Sequence, residues 1–229
     1  MMLFTNGCSF TYGGELPNPK QDSYPTILSN KLGCNQFVNY ADNGSSNNKI
    51  LRTTLDFLFN NKDNDDIYVV IGWSGISRTE WYDEHDLQWK KITPTMIDSD
   101  PYATAHYKYL QSRLQDNLDF YNQVLFLQLF LQKNNIKYFF FRIDNGNVKM
   151  KVRASSMEVT DGFDSRYIDQ SRFNHIDLEK FPSYLNEQLS FKEYALVNNG
   201  GFKPGGHPDE KSHGIFADYL SKEIKKLYK

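Results

Sequence analysis

The chain has 229 residues, 39% hydrophobic and 24% charged, a length and balance that suit one soluble globular domain spanning 1–229. Collagen-like, disordered and disulfide-framework classes are excluded, the last because Cys8 and Cys34 are the only cysteines and read as free thiols of a reducing compartment. Lys plus Arg number 26 and Asp plus Glu 28, so the formal net charge is −2 and nothing marks a nucleic-acid surface.

The strongest apolar run, Val124 to Leu131, falls well short of the ~20 residues a membrane helix needs, so no membrane span is expected. The start of the chain, Met1 to Asn6, has neither the basic region nor the apolar length of a signal peptide, which points to the cytoplasm of the producing cell.

In chain order, short apolar segments alternate with helical patterns, the signature of an α/β sheet with crossover helices. Met2 to Thr5 is a first strand that stops at Asn6-Gly7. Gln36 to Ala41 is a second, ending before Asp42-Asn43-Gly44. The spacing of Ile50, Leu51, Thr54, Leu55 and Leu58 predicts a helix capped by Asn47 or Asn48. Ile67 to Ile71 is the clearest strand, β-branched and unbroken to Gly72, as suits a strand buried on both faces. A long helical stretch from about Ala103 to Lys133 leads into the aromatic strand Tyr138 to Ile143, and a weaker fifth strand is read at Tyr194 to Val197. Pro208-Asp209-Glu210 opens a last helix, whose apolar face carries Ile215, Phe216, Tyr219, Leu220, Ile224 and Leu227. Two irregular stretches, about 73–102 and 144–181, are longer than ordinary connections and read as lids or binding segments.

The chemistry gathers at strand ends. Ser9 follows the first strand on the glycine-bearing turn Gly7-Cys8-Ser9, where open α/β sheets place their sites. Gly44-Ser45-Ser46 follows the second strand and Gly72-Trp73-Ser74-Gly75 the third. His207 lies in Pro204-Gly205-Gly206-His207-Pro208, a loop immediately before the last helix. A Gly-x-Ser-x-Gly elbow at Ser74 fails at Ile76. No glycine-rich nucleotide fingerprint occurs, and the histidines and cysteines show no metal-ligand spacing, so neither cofactor nor metal is expected.

Together these blocks resemble the SGNH hydrolases, also called GDSL-type esterases and lipases. Gly7-Cys8-Ser9 is similar to the family's Gly-Asp-Ser, with Cys8 in place of Asp, and the form Gly-Cys-Ser-Phe-Thr resembles phage-encoded members. The resemblance implies a three-layer α/β/α sandwich, flavodoxin-like, with a parallel sheet of about five strands in the order 2-1-3-4-5. It implies Ser9 as nucleophile, His207 as base, and an oxyanion hole formed by Ser9, Gly44 and Ser74, the last standing where the family has Asn. The family's Asp-x-x-His-Pro aligns with Pro204-Gly205-Gly206-His207-Pro208, so the usual orienting acid is replaced by Pro204. Asp144, Asp161 and Asp164 are the carboxylates that could replace it.

The implied activity is hydrolysis of a small acyl or carbohydrate ester. The alternative is an impaired binding module or virion-associated protein on the same fold. Trp73, Trp81 and Trp89 are candidates to stack on sugar rings or cover an acyl chain.

Overall fold

The computed structural model describes all residues except 65, 145–148, 152–157, 161–162, 165–174 and 229. The elements run β1 (Met2–Asn6), α1 (Ser9–Tyr12), α2 (Pro19–Asp22), α3 (Tyr24–Leu32), β2 (Gln36–Asn39), α4 (Asn47–Asn60) and β3 (Ile67–Trp73). There follow β4 (Thr79–Asp83), β5 (Gln88–Ile92), α5 (Pro101–Ala105), α6 (Arg113–Lys133), β6 (Lys137–Arg142), β7 (Lys149–Lys151), β8 (Glu158–Thr160), α7 (Phe191–Val197) and α8 (Glu210–Leu227).

Four strands form a parallel sheet in the order β2-β1-β3-β6. Alternate side chains leave opposite faces of a strand, and β3 shows the result: Val69, Ile71 and Trp73 enter one core while Tyr68 and Val70 enter the other. Residues of α4 and α6 contribute to the first core, and residues of α3, α7 and α8 to the second, which makes the three layers. Every residue of β3 is buried, as its unbroken apolar run requires.

Three expectations are corrected. The fifth strand at Tyr194 to Val197 is instead the second half of α7. Phe191 and Ala195, four apart, are its buried residues, and Ser190 stands at its N-cap. The sheet therefore has four strands among the described residues, with the expected 2-1-3 order followed by the Tyr138 strand. The long stretch from Ala103 is broken: α5 runs into a π-helical turn over His106–Leu110, and α6 begins afresh where the Ser112 hydroxyl accepts from Gln115 N–H. Finally, α4 is capped by the Ser46 hydroxyl, which accepts from Lys49 N–H at 3.2 Å, so Asn47 is already helical.

The stretch at 73–102 holds an antiparallel hairpin, β4–β5, in which Trp81 faces Lys90 and Tyr82 faces Trp89. Much of 144–181 lies outside the described residues. Among the described residues no helix is long and apolar enough to cross a membrane.

Candidate active site

The sheet delivers its site residues from the C-terminal ends of parallel strands. β1 ends at Asn6, whose side-chain amide donates to the Ile50 carbonyl at 3.1 Å and to the Thr53 and Thr54 hydroxyls at 2.9 and 3.0 Å, while its carbonyl oxygen accepts from Gly7 N–H at 2.8 Å. Asn6 thus ties the turn carrying Ser9 to α4. Ser9 is the first residue of α1, where its own N–H has no acceptor within the helix. Cys8, in the position of the family's Asp, is fully buried in the second core.

Gly44 occupies the third position of a turn closed by Ser45 N–H to the Asp42 carbonyl at 3.2 Å. Its φ of +72 lies in the left-handed region that suits glycine there. The turn is held from two sides: Lys91 of β5 donates to the Asp42 carboxylate at 2.8 Å and to the Asn43 carbonyl at 2.7 Å, and Asp42 also accepts from Lys49.

Ser9, Gly44, Gly14, Glu15 and His207 line one cavity of about 440 Å³. Gly14 lies between the side chains of Ser9 and His207. A methyl group built on it would stand 3.3 Å from Ser9 Cβ and 3.2 Å from His207 Nε2, so the two residues approach the same point from either side of Gly14.

The other ring nitrogen has a partner that the sequence did not suggest. His207 Nδ1 lies 2.6 Å from Glu15 Oε2. The same carboxylate accepts from the backbone N–H groups of Gly205 at 3.0 Å and His207 at 3.3 Å. The hydrogen bond from His207 is the largest influence holding the Glu15 carboxyl below its usual range, and these backbone bonds add to it. An ionised carboxylate only accepts, so the proton of this hydrogen bond sits on Nδ1, and in the neutral ring that leaves the lone pair on Nε2. Phe10 packs against the ring with centroids 5.6 Å apart. Glu15 itself has φ of +63, an uncommon backbone for a residue with a side chain, of the kind that concentrates at functional sites.

The carboxylate beside His207 is thus Glu15 and, among the described residues, neither Asp144 nor Asp164. Asp164 pairs with Arg113 at 3.0 Å, Asp144 lines a separate small pocket, and Asp161 lies outside the described residues. Pro204 sits exposed in a tight turn closed by Gly206 N–H to the Lys203 carbonyl at 2.8 Å. The signal for Glu15 in the sequence was faint: an acid following Gly13-Gly14 in the nucleophile's own loop.

Ser74 is not brought to the cavity. It lines a pocket of about 10 Å³ with Trp73, Gly75, Phe120, Arg142 and Asp144. Its backbone is clamped by Asn47, whose amide accepts from Ser74 N–H at 2.8 Å and donates to its carbonyl at 3.1 Å, while the hydroxyl is buried with no hydrogen-bond partner among the described residues. Arg78, further along the same chain segment, lines the Ser9 cavity instead.

His213, the second histidine of the last segment, belongs to the core. It is fully buried, its Nδ1 accepts from Tyr24 N–H at 3.0 Å, and desolvation pushes its pKa down to about 3. Among the described residues no group of three His, Cys, Asp or Glu side chains gathers as a metal site.

The parallel sheet, its flanking helices and the strand-end cavity define a chain with the GDSL/SGNH hydrolase fold. The "Crystal Structure of TesA" matches at a TM-score of 0.54 with 12% identity over 99% of each chain. A GDSL-like lipase from Bacteroides thetaiotaomicron matches at 0.52 with 12% identity, over 99% of this chain and 88% of that one. A putative lipolytic protein of the G-D-S-L family from Desulfitobacterium hafniense matches at 0.51 with 13% identity, over 97% and 98%. No curated protein sequence matches the chain. By sequence it belongs to the family described as "Family of unknown function (DUF6071)", which matches residues 15–229.

Proposed function

We propose that this protein is a serine esterase acting on small acyl or carbohydrate esters, with Ser9 as nucleophile, His207 as general base and Glu15 as the acid that orients it. The observation that carries this reading is the Glu15–His207 pair, placed across Gly14 from Ser9 in a shared cavity. An acid on Nδ1, a free Nε2 and a serine on its far side are what acyl transfer through serine requires.

In this reading Ser9 Oγ attacks the ester carbonyl carbon as His207 Nε2 takes the hydroxyl proton. The negative charge that develops on the carbonyl oxygen accepts hydrogen bonds from the N–H groups of Ser9 and Gly44. Collapse of this intermediate breaks the ester C–O bond, and the alcohol leaves with the proton from Nε2. Water then attacks the acyl group on Ser9 in the same way, His207 again taking and returning the proton, and the carboxylic acid departs. Glu15 stays ionised throughout and stabilises the imidazolium form. Ser74 has no part in these steps.

The test is labelling with a fluorophosphonate, which reacts only with an activated serine. The expected result is one adduct, mapped by mass spectrometry to Ser9 and absent in Ser9→Ala, with p-nitrophenyl acetate hydrolysis lost in parallel. An unlabelled protein inert to short esters would leave the binding-module reading in its place.

A further inference from the structure

The cavity at Ser9 opens on one side into a larger space. Asn43, Gly44 and Thr93 line it and also line a second cleft of about 780 Å³, formed beneath the β4–β5 hairpin and the start of α5. That volume lies within the ~300–1,000 Å³ of ordinary ligand sites. Resting on the esterase reading above, we propose that this cleft binds an uncharged oligosaccharide, whose acyl ester it delivers to Ser9.

Three features argue for a sugar. The first is aromatic surface. Trp81, Trp89 and Tyr102 line the cleft, and Trp89 and Tyr102 remain 46% and 56% exposed. Sugar rings present flat C–H faces that pack on such rings, while their rims carry hydroxyls that need polar partners. Trp81 and Tyr102 lie with ring centroids 4.6 Å apart. The Arg52 guanidinium sits 4.3 Å from the centre of the Trp89 ring and is itself fixed by two hydrogen bonds to the Glu80 carboxylate, at 3.0 and 2.9 Å. A ring held in this way is set before the ligand arrives, which lowers the ordering cost of binding.

The second feature is a polar lining with no uncommitted cation among the described residues: Asp83, Asp86 and Asp100 stand beside Lys90 and Lys91, and both lysines are engaged. Lys90 is bound to Asp86, and Lys91 to Asp42 and the Asn43 carbonyl. Asp100 accepts from Ala103 N–H, and a carboxylate that makes one such bond keeps lone pairs for hydroxyls. Paired charges of this kind suit neither a phosphorylated ligand, which needs an uncommitted cation, nor a long acyl chain, which needs an unbroken apolar wall.

The third is continuity. The Lys91 bonds fasten the hairpin to the turn that carries Gly44, so the floor of the cleft and the proposed oxyanion donor form one rigid piece. Trp73, the third tryptophan, is fully buried in the core and takes no part.

The experiment uses partially O-acetylated tetrasaccharides of xylose, glucose and N-acetylglucosamine. Trp89→Ala and Tyr102→Ala touch the second cleft and not the Ser9 cavity. Each is expected to lower kcat/KM on at least one of these substrates about tenfold, with p-nitrophenyl acetate hydrolysis unchanged and Trp89→Tyr restoring part of the loss. Binding is read separately in Ser9→Ala, where the same sugars should quench the fluorescence of Trp81 and Trp89.

Esters cleaved normally, with no quenching up to about 10 mM sugar and no effect of Trp89→Ala on the acetylated sugars, overturns the inference and leaves the esterase reading standing. A loss confined to p-nitrophenyl decanoate makes the cleft an acyl site and also overturns it. Quenching in a protein that cleaves no ester supports the sugar site and removes the esterase reading.

Discussion

Ser9 and Ser74 hold similar stations, each on a small-residue turn at the C-terminal end of neighbouring parallel strands, yet their surroundings are opposite. Ser9 borders an open cavity and faces, across Gly14, a histidine whose far nitrogen is held by Glu15. Ser74 is clamped by Asn47 through its backbone, and its hydroxyl is buried beside a pocket of about 10 Å³ with no partner among the described residues. The contrast teaches that a strand end and a glycine turn supply position only. Reactivity depends on what stands opposite the hydroxyl, and that is a property of segments distant in the chain.

The largest effect that can break this comparison is expected from the two serines themselves. Ser9→Ala should lower ester hydrolysis by about 10^4-fold or more, and Ser74→Ala should leave both the rate and the fluorophosphonate adduct in place. Labelling that survives Ser9→Ala and disappears in Ser74→Ala would reverse the assignment.

Glu15→Gln sharpens the comparison next. A neutral amide can donate to Nδ1 and so favour the tautomer with the proton on Nε2, which cannot act as a base. We expect kcat to fall by ~10^2 to 10^4, with KM little changed, in steady-state assays on p-nitrophenyl acetate. An unchanged kcat would show that the 2.6 Å contact plays no part in turnover.

The two histidines of the last segment repeat the contrast between an engaged and a sealed group. His213 is buried and its pKa is pushed down to about 3, whereas in the unfolded chain an imidazole titrates near ~6.5. Below that value the unfolded state binds a proton that the folded state refuses. The stability contribution is thus complete above about pH 6.5 and is lost as pH falls towards about 3, by a few kcal/mol in all. Urea unfolding at pH 7 and pH 5 should show the decline. His213→Gln, which can still accept from Tyr24 N–H, should flatten it even if its stability at pH 7 is lower.

Smaller still is the effect of filling the gap. Gly14→Ala places a methyl 3.0 Å from His207 Cδ2 and 3.3 Å from Ser9 Cβ, so the ring must yield slightly. A loss of about tenfold in kcat, with the melting temperature nearly unchanged, is expected. The smallest effect belongs to Pro204→Asp. The family's acid position is an exposed turn here and Nδ1 is already engaged, so kcat should change less than about twofold. A large gain would mean that Glu15 orients His207 poorly.

Much of the fold was legible because its signals are local. The runs at Met2, Gln36, Ile67 and Tyr138 are strands for reasons of composition and burial that a short window contains, and Gly7-Cys8-Ser9 and His207-Pro208 mark their places by turn and helix-start chemistry. Tyr194 to Val197 misled because a short apolar run fits either element. The α7 helix was decided by the spacing of Phe191 and Ala195 against the second core. The tertiary structure alone decided which carboxylate meets His207. Glu15 and His207 are 192 positions apart, and no pattern in either segment names the other. They meet because β1 and the segment before α8 bring their loops to the same edge of the sheet, close enough for Gly205 and His207 to donate their backbone N–H groups to one carboxylate. The same packing turned Ser74 inward, where Asn47 of α4 was waiting to bind its backbone.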